Sequence, residues 1–212
     1  MDPLTEALAE SLADVRRRIG HEVTIVAVTK GFGPDAVTGA LGAGIVDIGE
    51  NYAQELLAKA GAVGGGVDGA GVRWHFLGHV QRNKVGRLAP LVHLWQSVDR
   101  LGVLPPGARA LVQVNLSGLP QRNGCSWDDA AGVAGRLADE GVDVRGVMGV
   151  AGPGDPRPQF RRLKALADDL GLAEVSMGMS GDYAAAVEEG ATIVRLGTAL
   201  FGPRPKPGDL RG

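Results

Sequence analysis

The sequence predicts an α/β protein of one domain, a (β/α)8 TIM barrel with an extra N-terminal helix. Three observations carry that expectation. About eight short runs are apolar or β-branched almost throughout, which is the signature of strands buried on both faces. Helical stretches rather than hairpin turns separate them, so the sheet should be parallel and covered by helices. The 212 residues, 44% hydrophobic and 22% charged, suffice for one sizeable core. An open doubly wound sheet is the competing arrangement, but the GxGxxG fingerprint follows none of the strands.

The elements follow in order. Leu4, Leu8, Leu12, Val15 and Ile19 form one stripe at helical spacing, giving a helix within residues 1–20 that Gly20 ends. Arg16, Arg17 and Arg18 fall in its last turn, where cations suit the helix dipole. Val23–Thr29 is the first strand, and Pro34 opens a helix to about Ala43. Ile45–Gly49 is a second strand, Asn51–Val63 a helix, and the glycine-rich run Gly64–Gly71 a surface loop. Strands are expected at Val72–Leu77, Val92–Val98, Ala110–Leu116, Val142–Val150, Glu174–Met177 and Thr192–Leu196. Helices are expected at Gln81–Leu88, Trp127–Glu140, Gln159–Leu170 and Asp182–Glu189, with a short one near Ala199. The barrel domain takes residues 1–212, including a C-terminal tail at 204–212.

Composition narrows the function classes. A formal net charge of −2 gives no general attraction for nucleic acid or an anionic membrane. No apolar run reaches the length of a membrane span and no signal-peptide pattern opens the chain. The single cysteine, Cys125, precludes an internal disulfide and suits a reducing cytoplasm. His75 and His79 stand at helical spacing, but His75 lies in a strand-like run and no HExxH or Cys/His cluster occurs, so no metal is expected. No exposed heptad seam is evident, and a monomer is expected.

In a barrel of this kind, chemistry sits at the C-terminal ends of the strands. The first strand ends in Lys30, where poor solvation disfavours the charged amine and a neutral amine is a nucleophile for carbonyls. Taken alone, such a lysine more often reaches out to water, and the rest of the chain has to overturn that reading. Strand two ends in Gly49-Glu50-Asn51-Tyr52, strand five in Asn115 and Ser117, strand seven in the run Ser176 to Ser180, and strand eight in Arg195 to Thr198. Barrels commonly bind phosphate through the loops after strands seven and eight, and Ser180, Gly197 and Thr198 offer a close backbone approach and two hydroxyls there. Ser180 and Thr198 also suit helix caps. Together with Lys30 they point to a phosphorylated aldehyde.

The motifs VAVTK, GENYAQE, WHFLGHVQRNK and SMGMSGDYAAAVEEGATIVRLGTALFG resemble those of the pyridoxal phosphate homeostasis proteins, single-domain relatives of the N-terminal barrel of bacterial alanine racemases. The resemblance runs from about Val23 to Pro203. It implies that Lys30 holds pyridoxal 5′-phosphate (PLP) as a Schiff base. It further implies phosphate contacts from Ser180, Gly197 and Thr198 with Ser176, Arg195 facing the pyridine nitrogen, and Asn51 beside the ring. The chain departs from the family pattern at Gln121-Arg122-Asn123-Gly124, where Lys-Ser-Gly is usual, and at His79, where proline is common.

Arg195 bears on what such a cofactor could do. Arginine only donates hydrogen bonds, so a ring nitrogen opposite it must accept and stay unprotonated, which weakens the ring as an electron sink. Racemisation needs a second proton carrier, which in alanine racemases is a tyrosine from a C-terminal β-domain. The only tyrosines here are Tyr52 and Tyr183, and the sequence ends at Gly212. The resemblance therefore implies a PLP-binding protein of vitamin B6 homeostasis that holds the cofactor or hands it to PLP-dependent apo-enzymes in the cytoplasm. A weak PLP-dependent amino-acid racemase is the alternative, and a Schiff-base aldolase a more remote one.

Overall fold

A computed structural model describes residues 2–64 and 71–203. Most of the glycine-rich loop (65–70) and the tail (204–212) lie outside the described residues. Eight parallel strands close into one barrel in sequential order, β1 pairing with β8. They are β1 (Thr24–Val28), β2 (Asp47–Glu50), β3 (Arg73–Phe76), β4 (Val92–Val98), β5 (Arg109–Val114), β6 (Asp143–Gly149), β7 (Glu174–Ser176) and β8 (Ile193–Leu196). The helices are α1 (Pro3–Ile19), α2 (Pro34–Gly42), α3 (Ala53–Ala62), α4 (Arg82–Leu88), α5 (Ala130–Asp139), α6 (Arg157–Asp169), α7 (Tyr183–Glu188) and α8 (Thr198–Phe201). The fold is the TIM barrel the alternation predicts, with α1 as the added N-terminal helix.

Helix α1 starts where Asp2 caps it, its Oδ1 accepting from the N–H groups of Leu4 and Thr5 at 3.1 Å each. Gly20 ends it with φ +74°. Leu8, Val15 and Ile19 are buried as expected, whereas Leu4 is 38% exposed. Arg16 does more than complement a dipole: its Nη1 donates to the carbonyls of Gly20 and Val23, at 3.1 and 2.6 Å, and so pins the turn into β1.

Several boundaries differ from the sequence expectation, two of them for clear local reasons. Ile45 does not open β2, because its N–H turns back to the Ala40 carbonyl (2.8 Å) while Gly44 at φ +85° closes α2. The strand instead extends to Glu50, whose side chain is fully buried. Trp127 precedes α5 rather than starting it: Ser126 Oγ accepts from the Asp129 N–H, and the Trp127 ring lies under the Arg162 guanidinium at 4.1 Å. Between β4 and β5, as the sequence predicts, residues 99–108 form no helix, since Gly102, Pro105, Pro106 and Gly107 disfavour one. The Glu140 carboxylate, accepting from the Gly102 N–H, holds that segment at 2.8 Å.

Alternation along each strand sorts side chains into two regions. One set, including Ile25, Ala27, Ile48, Trp74, Trp95, Val147, Val175 and Val194, packs with the helices. Val26, Leu94, Leu111, Met148 and Ile193 form a separate small cluster that fills the barrel. Above and beside it the barrel is polar: Asp47, His75, Gln96, Gln113, Ser176 and Arg195 are all buried. Among the described residues no helix is long and apolar enough to cross a membrane.

Candidate functional site

A cavity of about 490 Å³ opens at the C-terminal ends of the strands. Its walls bring together Lys30, Asn51, Ser180, Arg195, Gly197 and Thr198, six of the seven residues singled out from the sequence. Ser176, the seventh, does not line it. Its hydroxyl lies beneath Arg195, accepting from Nη1 at 2.7 Å and donating to Gln96 Oε1 at 2.6 Å.

Lys30 stands two residues past β1, at the cavity wall, and the chain on either side of it is held by a buried ionic cluster. Lys59 of α3 donates from Nζ to the Thr29 carbonyl (2.7 Å), to Glu50 Oε1 (2.5 Å) and to Glu55 Oε2 (3.2 Å). Thr29 Oγ1 donates to the same Glu50 oxygen at 2.5 Å, and the Gly31 N–H donates to Glu55 Oε2 at 2.8 Å. Burial raises the Glu50 carboxyl pKa, against the pull of Lys59 and Thr29, and its Oε2 has no partner among the described residues. Residues 29 and 31 are thus each tied to the GENYAQE segment, and Lys30 is presented from a fixed backbone.

Asn51 follows β2 and is set by a close backbone approach. A Cβ at Gly78 would lie 1.8 Å from the Asn51 carbonyl oxygen, so only glycine fits there. The Asn51 Oδ1 is buried and has no hydrogen-bond partner among the described residues, although it belongs to a cavity-lining side chain. A buried acceptor left open is costly unless a ligand supplies the donor.

Arg195 forms part of the floor. Nη1 donates to Ser176 Oγ and Nη2 to the Gly149 carbonyl at 2.9 Å, both neutral acceptors. Burial pushes its pKa down to about 10, with the charge of Asp182 pulling the other way, and it remains a cation at neutral pH. On the wall beside it, Ser180 Oγ accepts from the Ala199 N–H at 3.0 Å, which joins the β7 and β8 loops at the start of α8. A Cβ on Gly197 would meet the protein only at ordinary contact distance, 3.6 Å from the Val28 carbonyl. Glycine there is not forced by the fold; it leaves room on the cavity side.

The opposite wall is Gln113, Asn115, Gln121, Arg122 and Asn123. Asn115 is committed to its own loop, donating to the Leu119 and Arg122 carbonyls at 2.9 and 3.2 Å. Gln113 was not singled out from sequence, although it is the one polar residue in the run ALVQV, and Gln121, Arg122 and Asn123 enter there only as part of the departure from the family pattern. His75 and His79 do not share a face: His75 is buried in the barrel, and His79 Nε2 lies 2.7 Å from the Arg100 guanidinium at the rim. Among the described residues no group of three or more His, Cys, Asp or Glu could hold a metal ion. Burial, with Asp99 adding, pushes the Cys125 thiol up to about 11, so it is no nucleophile at neutral pH.

This barrel, with its lysine, arginine and serine–glycine–threonine strand ends, is of the alanine racemase N-terminal domain class, whose family model matches residues 5–205. Alanine racemase from Corynebacterium glutamicum shares the fold at TM-score 0.72 and 17% identity, covering 96% of this chain and 62% of that one. Within that class the chain belongs to the pyridoxal phosphate homeostasis protein family. The Pseudomonas aeruginosa pyridoxal phosphate homeostasis protein is 37% identical over 93% of this chain and 96% of its own length. PipY of Synechococcus elongatus, solved with PLP bound, superposes with TM-score 0.80 at 30% identity, covering 92% of this chain and all of that one.

Proposed function

We propose that this chain binds PLP, holds it as a Schiff base on Lys30, and serves intracellular vitamin B6 homeostasis without robust catalysis of its own. The observation that carries the reading is the meeting of Lys30, Arg195, the open Asn51 acceptor and the Ser180–Gly197–Thr198 cradle in one cavity. These residues fit the cofactor's parts: an aldehyde, a ring nitrogen that accepts, a ring hydroxyl that donates, and a phosphate dianion. When bound, PLP supplies a carbonyl carbon for an amine and an electron-withdrawing ring.

Each side chain has one task. Lys30 offers the amine, and the clamp on residues 29 and 31 fixes where it starts from. Arg195 would donate to the ring nitrogen and keep a proton off it. Asn51 would accept from the ring's hydroxyl. Ser180 still has its hydroxyl proton to give, because its bond to Ala199 uses the oxygen as acceptor. With Thr198 and the Gly197 backbone it would hold the phosphate, while Ser176 supports Arg195 from below rather than touching the phosphate. Among the described residues the ionisable side chains lining the cavity are Lys30, Arg122 and Arg195, with no carboxylate, histidine or tyrosine to carry a second proton. That supports a holder of the cofactor over a racemase, and delivery to PLP-dependent apo-enzymes by a monomer in the cytoplasm belongs to the same proposal.

The test is borohydride reduction of the PLP-loaded protein followed by mass mapping. The adduct should sit on Lys30 and vanish in Lys30→Ala, which should keep its fold. An adduct on Lys59, Lys84 or Lys164 with Lys30 unmodified would overturn the assignment. Racemisation of alanine by the wild type at ordinary enzyme rates, about 1–10³ per second, would overturn the carrier role.

A further inference from the structure

Below Arg195 a single file of buried polar side chains crosses the barrel interior from β8 to the opening residues of β2 and β3. Arg195 Nη1 donates to Ser176 Oγ (2.7 Å), Ser176 Oγ to Gln96 Oε1 (2.6 Å), Gln96 Nε2 lies 2.8 Å from His75 Nδ1, and His75 Nε2 lies 2.9 Å from Asp47 Oδ1. Arg73 closes the far end, its Nε and Nη2 donating to the two Asp47 oxygens at 2.8 and 2.5 Å. Ser176 and Gln96 have no exposed surface, and His75 is 2% exposed.

The direction of every bond follows from Asp47. Burial alone would raise its pKa, but hydrogen bonds from His75 and Arg73, with the Arg73 charge, outweigh burial and hold it low. An ionised carboxylate only accepts, so His75 donates from Nε2, and with the Gln96 amide nitrogen against it Nδ1 is the acceptor. Gln96 must then turn its amide N–H to His75 and its oxygen to Ser176. The Ser176 hydroxyl must give its proton to Gln96, and its lone pairs are left facing Arg195. His93, its ring 5.8 Å from that of His75, is lowered in pKa by burial and by His75, Arg109 and Arg73, and offers no competing cation.

We propose that Gln96 and His75 are positioning residues for Arg195: anchored on Asp47, they oblige Ser176 to act as an acceptor toward the guanidinium and so hold it as a donor at the cavity floor. In the PLP reading, on which the binding arm of the test rests, this fixes a donor opposite the ring nitrogen from the far end of the barrel. Neither residue touches the cavity. Their effect passes entirely through Ser176.

Gln96→Leu and Gln96→Glu separate this role from simple filling of the interior. Leucine replaces the volume but frees the Ser176 hydroxyl to rotate. Glutamate still accepts from Ser176, and His75 can take up a second proton to face it. If Gln96 only fills space, leucine is the mild change and buried glutamate the harmful one; positioning reverses that order. The first readout needs no cofactor: hydrogen exchange of the Arg195 Nη1 protons, followed by NMR in 15N-arginine-labelled apo-protein and assigned by their loss in Arg195→Lys. Protection should be lost in Gln96→Leu and kept in Gln96→Glu. The second readout is the PLP dissociation constant, which should rise about tenfold in Gln96→Leu and be restored in Gln96→Glu, the loss expected for one hydrogen bond to a charged group. Should Gln96→Leu fail to fold, Ser176→Ala takes its place, with the same loss expected. Unchanged Nη1 protection in Gln96→Leu or Ser176→Ala, or a glutamate variant worse than leucine, overturns the proposal. A wild type that binds no PLP would refute the cofactor reading instead, and the exchange measurement would still decide this one.

Discussion

Replacing Lys59 by methionine tests whether the buried ionic cluster behind Lys30 acts as a unit. Methionine keeps most of the side-chain length and removes the ammonium. The Lys59 side chain is 4% exposed and that of Glu50 not at all, so this pair is a buried one. Removing one partner of such a pair costs about 3–5 kcal/mol, chiefly because the remaining charge stays buried alone. For a protein of this size, about 2–4 °C of melting temperature goes with each kcal/mol, so a drop of about 6–20 °C is expected at pH 7.5. Three acceptors each lose one donor at once, the Thr29 carbonyl, Glu50 and Glu55, and keep the Phe32 N–H, the Thr29 hydroxyl and the Gly31 N–H respectively.

The pH dependence makes the prediction specific. The Glu50 carboxyl has a raised pKa in the folded protein. A raised group contributes stability that is fully present below its unfolded pKa and is lost as pH rises through the folded one. Without Lys59 the folded pKa rises further, so acidification relieves the buried charge on Glu50 sooner in the variant than in the wild type. The gap in melting temperature between Lys59→Met and wild type should therefore narrow on going from pH 7.5 to pH 5. Glu50→Gln in the Lys59→Met background should recover most of it at pH 7.5, since the amide carries no charge. Thermal melts followed by circular dichroism at both pH values measure all of this. A drop under about 2 °C, or one of equal size at both pH values, would show that Glu50 is not charged in the folded state and that the cluster is held by its neutral hydrogen bonds.

Two further changes address the cavity itself. Ser180→Ala combined with Thr198→Val removes two hydroxyls expected to bond a dianion, each worth about 1.5–3 kcal/mol, so PLP affinity should fall about a hundredfold or more if the losses add; an unchanged dissociation constant by titration would place the phosphate elsewhere. Gly78→Ala puts a methyl 1.8 Å from the Asn51 carbonyl oxygen, so the β2 and β3 ends must part, with a loss of about 1–3 kcal/mol or more in denaturant melts. A neutral outcome would mean the loop yields freely and Asn51 is not held by that contact.

The barrel is readable in the chain because buried parallel strands write themselves as apolar runs, and the failures sit where backbone hydrogen bonds, not hydrophobicity, decide. Ile45 is as apolar as any strand residue, yet its N–H is claimed by the end of α2. Glu50 reads as a loop residue beyond a strand, yet it belongs to β2, with Lys59 and Thr29 supplying the partners that permit its burial. Much of the cavity was readable as well, since a strand end is one place in sequence and one place in space. Lys30, Asn51, Ser180, Arg195, Gly197 and Thr198 each follow or end a run, and all reach the same wall. What stayed hidden needs two dimensions of information. A Glu55–Lys59 pair at helical spacing looks like a surface pair until the helix face is known, and here that face is buried. Gln96 looks like one polar residue in VHLWQSV; its meaning comes from His75 on one neighbouring strand and Ser176 on another across the barrel.

The two buried networks solve opposite problems at one cavity. At Lys30 it is the backbone that is fixed: charge-assisted hydrogen bonds from Lys59 and to Glu55 grip residues 29 and 31, and the side chain at 30 lines the cavity. At Arg195 what must be fixed is the side chain, while its charge stays available. A carboxylate partner would orient a guanidinium well but would neutralise its field toward a ligand. A serine hydroxyl and the Gly149 carbonyl orient it with dipoles alone. Burial lowers its pKa only to about 10, so at neutral pH the charge persists with no anion bonded to it. The negative charge that orders the chain, on Asp47, is placed at the other end of the barrel, where Arg73 balances it. Orientation is thereby transmitted across the barrel while the net positive potential stays at the cavity, beside Lys30 and Arg122, where an anionic ligand would meet it.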